Sequence, residues 1–451
     1  MDARAIALAA LAALGCGVNG GARRPDLAAP DLTGAEVRCA ERGEGGADPW
    51  SRDAGTLAGA ARGQLLACQH AATVSADELS ATPQYRAHGW VAAHGYERYV
   101  IQYASDGPAG IARRVSAVLY LPSGAGPFPI VAVNHGTNGV GPGCGPSHVP
   151  QVADYMALPL VGRGYAVVAT DYLGMGVDEG VYAYGVGDAE ARGILDGIRA
   201  LRRFDDPPRF ARASLEDRVF LLGHSQGGQA TLLAHAAWDP SVGTLLGSVT
   251  LAPGLGDLRG LDLLLGPRDR PMDATLLFLT MVLYSSASYV GAPAAKDWLT
   301  AAGAAQLPGL LHDRCWVELA TELPARFPTA GALFAPSFLD AAATCPFGDA
   351  SCPAFSPWEG YLRAAVPGDF ASDAPALVAQ GGADTIVPPY TTACVIDRLL
   401  RRGTAVTSCG YAASTHYTIF DDAAEDVFAW LAARRAGGAY RCATPLAATC
   451  P

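Results

Sequence analysis

Residues 218–238 read Arg218-Val-Phe-Leu-Leu222, then Gly223-His-Ser-Gln-Gly-Gly228, then Gln229 to Trp238. The apolar run predicts a buried strand and the last segment a helix, with a serine at the turn between them. A strained strand-to-helix turn pushes that hydroxyl out above a sheet, and glycines two residues to either side let the backbones pass closely. The pentad alone is weak, because a chain with 53 glycines would produce one by chance roughly 0.3 times. Its place at the C-terminal end of a central strand, where open α/β sheets bind ligands, gives it weight.

Working outward, the same alternation of strand and helix recurs. Tyr99–Tyr103 and Val115–Leu121 alternate as half-buried strands around the turn Asp106-Gly107-Pro108. Ile130–Val133 is a short continuous apolar run, and Tyr165–Ala169 follows a helical segment. Asp188–Phe204 carries Ala191, Ile194, Leu195, Ile198 and Leu201 at helical spacing. Leu246–Leu251 is a strand; after a long interval come a strand at Ala376–Ala379, a helix at Thr391–Arg402 and a strand at Val406–Tyr411. Ala423–Arg435 closes the chain as an amphipathic helix. Repeated β-α-β units predict an α/β fold, a mostly parallel sheet covered by helices on both faces, with the early antiparallel strands on one edge. The interval 255–370 is too long for an ordinary connection and predicts an inserted, mainly helical cap. Within it Ala274–Val290 is apolar but short for a membrane span, and is read as a buried or amphipathic cap helix. The expected divisions are therefore 17–95 as an N-terminal extension, irregular over 17–80, 96–254 with 371–442 as the core, 255–370 as the cap and 443–451 as a tail.

Composition sets the bounds. Of 451 residues half are apolar and 17% charged, which excludes a disordered chain. A net charge of −11 argues against a nucleic-acid partner, whose phosphates demand neutralising cations. Residues 1–16 place a ten-residue apolar run, Ala5–Leu14, before Gly15-Cys16, the pattern of an export leader. Gly-Cys at its end resembles a bacterial lipoprotein box, which would make Cys16 a lipid anchor and tether the chain to a membrane; plain secretion is the alternative. Setting Cys16 aside leaves ten of the eleven cysteines, an even number suited to disulfides in an oxidising compartment. Local pairs such as Cys394–Cys409 and Cys442–Cys450 suit the spacing, which leaves the connectivity open. No Cys-x-x-Cys or histidine-rich cluster points to a metal.

A serine hydroxyl needs an adjacent base that is itself oriented by an acid. In a strand-turn-helix nucleophile architecture the chain order is serine, acid, histidine. After Ser225 there remain His235, His312 and His416. His235 lies ten residues into the nucleophile's own helix and is read as buried or turned away, and His312 as a structural or rim residue of the cap. His416, on the loop after the last strand, can reach Ser225 and is the expected base. Asp384 in Gly381-Gly-Ala-Asp-Thr-Ile-Val-Pro-Pro389 follows the penultimate strand and is the expected acid; Asp257, one strand earlier, competes but is cut off by the cap insertion. Developing negative charge on the substrate carbonyl calls for preorganised donors. These are expected from the backbone N–H of Gln226 and from Thr137 in the loop Asn134-His-Gly-Thr-Asn-Gly139, where His135 is read as bracing the loop.

The stretch 95–442 resembles the secretory lipases of the fungal lipase A type. The matching motifs are His135–Gly139 with Cys144-Gly-Pro-Ser147, Asp171-Tyr-Leu-Gly-Met-Gly176, Ala189-Glu-Ala-Arg192 with Leu195-Asp-Gly-Ile-Arg199, Gly223–Gly228, Gly382–Pro388, and the late His416. The resemblance implies the α/β-hydrolase fold with an inserted cap, hydrolysis of carboxylic esters, and Ser225, Asp384 and His416 as the triad. It leads to an exported serine hydrolase acting on a small-molecule ester or lipid through an acyl-enzyme, with no metal and no organic cofactor. The rivals are a serine peptidase or acyltransferase on the same fold, and a lipid-anchored binding protein on a retired scaffold.

Overall fold

The computed structural model describes residues 37–41, 46–257, 266–290, 298–344 and 359–451. The leader with Cys16, and Cys345 and Cys352, lie outside the described residues. One ten-stranded sheet organises the rest. Its strands are β1 (Ala40–Glu41), β2 (Leu65–Val74), β3 (Tyr96–Asp106), β4 (Ala112–Pro122), β5 (Phe128–Asn134), β6 (Ala166–Thr170), β7 (Leu215–His224), β8 (Thr244–Leu251), β9 (Ala376–Gly381) and β10 (Val406–Tyr411). They lie in the order β1-β2-β3-β4-β6-β5-β7-β8-β9-β10. From β6 to β10 every pair is parallel, while β2, β3 and β4 run antiparallel along one edge. This is the mostly parallel sheet that the alternation predicted.

All seven residues of β5 are buried, and period two divides them between the sheet's faces. Ile130 and Ala132 join the core containing Ile194, Ile198 and Leu201, which belong to helix α4 (Gly187–Arg203). Helices α1 (Ala76–Ser80) and α2 (Pro83–His88) precede the parallel strands, and α3 (Gln151–Val161) follows β5. Val131 and Val133 face α3 and the closing helix instead, through Met156, Leu160, Val427 and Leu431. Helix α5 (Gln226–Ala236) follows β7.

Between β8 and β9 the described residues are helical: α6 (Ala274–Val290), α7 (Ala301–Asp313), α8 (Trp316–Arg326), α9 (Ala330–Leu333), α10 (Pro336–Thr344) and α11 (Glu359–Ala364). They share a core of their own, built on Leu276, Met281, Leu311, Leu319 and Phe334, which also takes in Val140, Tyr182 and Tyr184 from loops of the sheet. Helix α6 buries Thr280, Ser285 and Ser286 among its apolar residues. No helix among the described residues is long and apolar enough to cross a membrane. Helices α12 (Pro389–Arg402) and α13 (Ile419–Arg435) complete the fold.

Two expectations are corrected. Residues 65–88, expected to be irregular up to 80, form β2, α1 and α2. Register shifts between Leu65 and Ala67 and between His70 and Ala72 break the alternation of β2, so its sequence hides the strand. The cysteines near the C-terminus pair as Cys394–Cys450 and Cys409–Cys442, not as neighbours. Cys394 lies on α12 and Cys409 on β10, and the tail runs back along β10, where Gly410 N–H donates to Thr444 C=O at 2.8 Å. That path brings each tail cysteine beside a partner 33 or 56 residues away. Cys39–Cys68 and Cys144–Cys315 are the other disulfides among the described residues.

Candidate active site

At the end of β7 the backbone of Ser225 takes φ 57° and ψ −120°, a conformation that costs a side-chain-bearing residue about 1–3 kcal/mol. The surroundings over-determine it. Ser225 N–H donates to Leu251 C=O at 2.9 Å, and Ser225 C=O accepts from Gly254 N–H at 2.9 Å. A methyl group at Gly223 would lie 2.1 Å from Gly227 O, and one at Gly227 would lie 1.8 Å from Asn134 O. The two glycines of the pentad are therefore demanded by backbone contact, and only their absence of side chains lets the turn form.

Ser225 Oγ lies 2.9 Å from His416 Nε2, and His416 Nδ1 lies 2.8 Å from Asp384 Oδ2. Ser225, Asp384 and His416 are at most 9% exposed. The loops carrying the last two interlock: Gly382 N–H donates to Tyr411 C=O and Ala383 N–H to Ser414 C=O. A side chain at Gly381 would strike Ser414 O at 2.3 Å, so the Gly381-Gly382 pair lets the β9 loop rest on the β10 loop. Asp384 Oδ1 accepts from the N–H groups of Ile386 and Val387, and Gln380 Nε2 donates to Oδ2 at 3.3 Å. Burial opposes ionisation of this carboxyl, but His416 and the two N–H donors outweigh it and hold its pKa below the ordinary aspartate value.

The other expected residues fall as follows. Gln226 is the first residue of α5, and Thr137 lies in the loop after β5, which passes so close that a methyl group at Gly136 would lie 3.5 Å from Ser225 Cβ. Among the described residues neither the backbone N–H of Gln226 nor that of Thr137 donates to another group. Thr137 Oγ1 is 2.8 Å from the Tyr184 hydroxyl. His235 is buried between Ser248 Oγ and Ser372 Oγ, away from Ser225. His312 is half-buried and pairs with Asp313 and Asp178. His135 is fully buried against Gly136 C=O, and burial lowers its pKa to about 4. Asp257 lies within electrostatic range of Arg398.

Several site residues had no clear sequence signal. A pocket of about 240 Å³ opens over the serine, lined by Thr137, Tyr155, Phe278, Trp316, His416 and Tyr417 among others. Phe278 of α6 and Trp316 of α8 stack face to face, 4.4 Å between centroids and 5° between planes. Trp316 is tied to the core by its N–H to Asn138 C=O and by the neighbouring Cys144–Cys315 bridge. His224, the residue before the serine, sits with its ring 4.6 Å from that of His416 and hydrogen-bonds Tyr155. Burial, reinforced by His416, lowers its pKa to about 3, so it is a neutral neighbour. Glu190 was visible only as part of a motif; the fold places its carboxyl on the Gln226 side chain, 2.8 Å from Nε2.

The secretory lipase family model matches residues 147–253, the stretch that carries Asp171, Glu190 and Ser225. Three similar solved structures share the fold. A point variant of the rice cell wall degrading esterase LipA from Xanthomonas oryzae is 20% identical, with 82% of this chain and 99% of that one covered at a TM-score of 0.67. A putative hydrolase from Legionella pneumophila is 17% identical, covering 82% and 98% at 0.66. The closed state of Candida antarctica lipase A is 17% identical, covering 88% and 87% at 0.64. No curated protein matches the sequence. The secretory lipase match over residues 147–253, together with the shared α/β-hydrolase fold, supports a hydrolase of carboxylic esters.

Proposed function

We propose that the protein is an exported serine esterase that works through an acyl-enzyme. The observation that carries this reading is the unbroken chain of contacts from Ser225 Oγ through His416 to Asp384, with both links at 2.9 Å or less. His416 Nε2 takes the Ser225 proton as Oγ attacks the ester carbonyl, then returns it to the departing alcohol. Asp384 fixes the tautomer and steadies the imidazolium. The N–H groups of Gln226 and Thr137 receive the oxyanion, and the amino end of α5 adds its dipole. Water then attacks the acyl-enzyme with His416 again as base.

The substrate is a small ester. A pocket of about 240 Å³ lies below the usual range for drug-sized ligands, and its Phe278–Trp316 platform suits a short acyl or aryl group. Four disulfides among the described residues and the Ala5–Leu14 leader support export, with Cys16 as the point of lipid attachment.

Hydrolysis of p-nitrophenyl esters from acetate to palmitate, by wild type and Ser225→Ala, tests the reading. Acetate and butyrate esters should turn over fastest, and the substitution should lower kcat by about 10³-fold or more. Undiminished turnover by Ser225→Ala would remove the nucleophile from the scheme.

A further inference from the structure

Behind the nucleophile lies a carboxylate that the scheme above does not use. Glu190, in the first turn of α4, is fully buried. Its Oε1 accepts from two donors at once, Gly185 N–H at 3.0 Å and Gln226 Nε2 at 2.8 Å. Its Oε2 has no hydrogen-bond partner. Burying a carboxyl with one oxygen unsatisfied is expensive, and an amide or apolar residue would stabilise the core at lower cost. The fold nevertheless spends it on one contact pair.

Those two contacts join the two halves of the oxyanion site. Gln226 contributes one backbone N–H, and its side chain is gripped by Glu190. Gly185 adjoins Tyr184, whose hydroxyl meets Thr137 Oγ1 at 2.8 Å in the loop that contributes the other. The strand of chain from Tyr184 to Gly185 also touches the cap: a methyl group at Gly185 would lie 3.2 Å from Val282 of α6. A single oxygen therefore sets the spacing between the start of α5 and the segment that braces Thr137.

We propose that Glu190 is a positioning residue, holding the Gln226 and Thr137 donors in register for the oxyanion by clamping Gln226 and Gly185 together. This rests on the serine-hydrolase reading of the site. The charged and titratable groups facing Glu190 are Asp188 from its own helix and the buried Tyr172 and Tyr184, none of them cationic. Burial raises the Glu190 pKa to about 7 against the two hydrogen bonds that lower it. The acid is neutral below that pH; above it, a negative charge appears beside a site that must accumulate negative charge, and the transition state loses stabilisation.

The test is steady-state hydrolysis of p-nitrophenyl butyrate from pH 5.5 to 8.5 by wild type, Glu190→Ala and Glu190→Gln, each normalised to the serine titrated by a fluorophosphonate, and by Ser225→Ala, normalised to protein concentration. Glu190→Ala loses the clamp and should lower kcat about 10–100-fold with KM within about threefold. Glu190→Gln keeps an oxygen acceptor; its kcat at pH 6 should stay within about threefold of wild type, while the fall in kcat expected of wild type through about pH 7 should be missing. The second variant also serves should the alanine variant not fold. A titratable Glu190→Ala enzyme with wild-type kcat, or pH profiles of Glu190→Gln and wild type that superimpose, would overturn the proposal. An active Ser225→Ala enzyme overturns the underlying reading and this one with it, and is told apart by that arm alone.

Discussion

Glu190 and Asp384 are buried carboxyls with opposite fates, and the difference lies in what surrounds each. Asp384 accepts two backbone N–H groups and faces His416, so its ionised form is favoured despite burial. Glu190 has two donors on one oxygen and no cation, so desolvation prevails and its pKa rises to about 7 from 4.5. The sign of the stability effect follows. Because the folded state binds the proton more tightly than the unfolded chain, the stabilisation is fully present below about pH 4.5 and is lost as pH rises through about 7. Between pH 5 and 8 this one group should remove about 2–3 kcal/mol of unfolding free energy. Urea denaturation at both pH values should show that loss in wild type and not in Glu190→Gln; equal losses in the two proteins would show that Glu190 does not titrate in this window.

The junction of α7 and α8 supplies Trp316 to the wall of the pocket over Ser225. Its contact with the loop after β5 is close: a methyl group at Gly141 would lie 2.2 Å from His312 O, and one at Gly139 3.2 Å from Cys315 Cα. With the Cys144–Cys315 bridge and the Trp316 N–H bond to Asn138, this end of the cap is fixed to the loop after β5. Trp316 is thus anchored at its backbone to the loop after β5, and it carries Phe278 of α6 on its face. Trp316→Ala should raise KM for p-nitrophenyl butyrate about 3–10-fold through loss of apolar contact, with kcat changed less than threefold. Kinetics that show an unchanged KM would place the acyl group elsewhere. Neither Phe278 nor Trp316 stands out in the sequence, where both are ordinary apolar residues of cap helices.

For the molecule as a whole, the disulfides mark where secondary structure alone does not hold. Cys39–Cys68 ties the short edge strand β1 to β2, and the two C-terminal bridges hold the tail along β10, the opposite edge of the sheet. Covering or pinning both edges blunts their capacity to pair with other chains. Such bridges suit an exported protein, and the leader adds the expectation of a lipid at Cys16. In a bacterial host that processes lipoproteins, Cys16→Ala should move the protein from the membrane fraction to the soluble one with its esterase activity intact. A wild-type protein already soluble after fractionation would leave Cys16 without that role.

The sequence by itself determined the parallel sheet, because buried strands such as Ile130–Val133 and amphipathic helices such as Asp188–Phe204 announce themselves by period. It also singled out Ser225, Asp384 and His416, because chain order and strand ends restrict which serine, acid and histidine can share one rim. β2 stayed hidden because its bulges erase the period, and the tail disulfides because spacing says nothing about the path of an irregular segment. The Phe278–Trp316 platform and the Glu190 clamp were decided only by tertiary structure. Each depends on residues from separate elements meeting at a point, and local pattern carries no information about which side chains the closed fold will bring into contact.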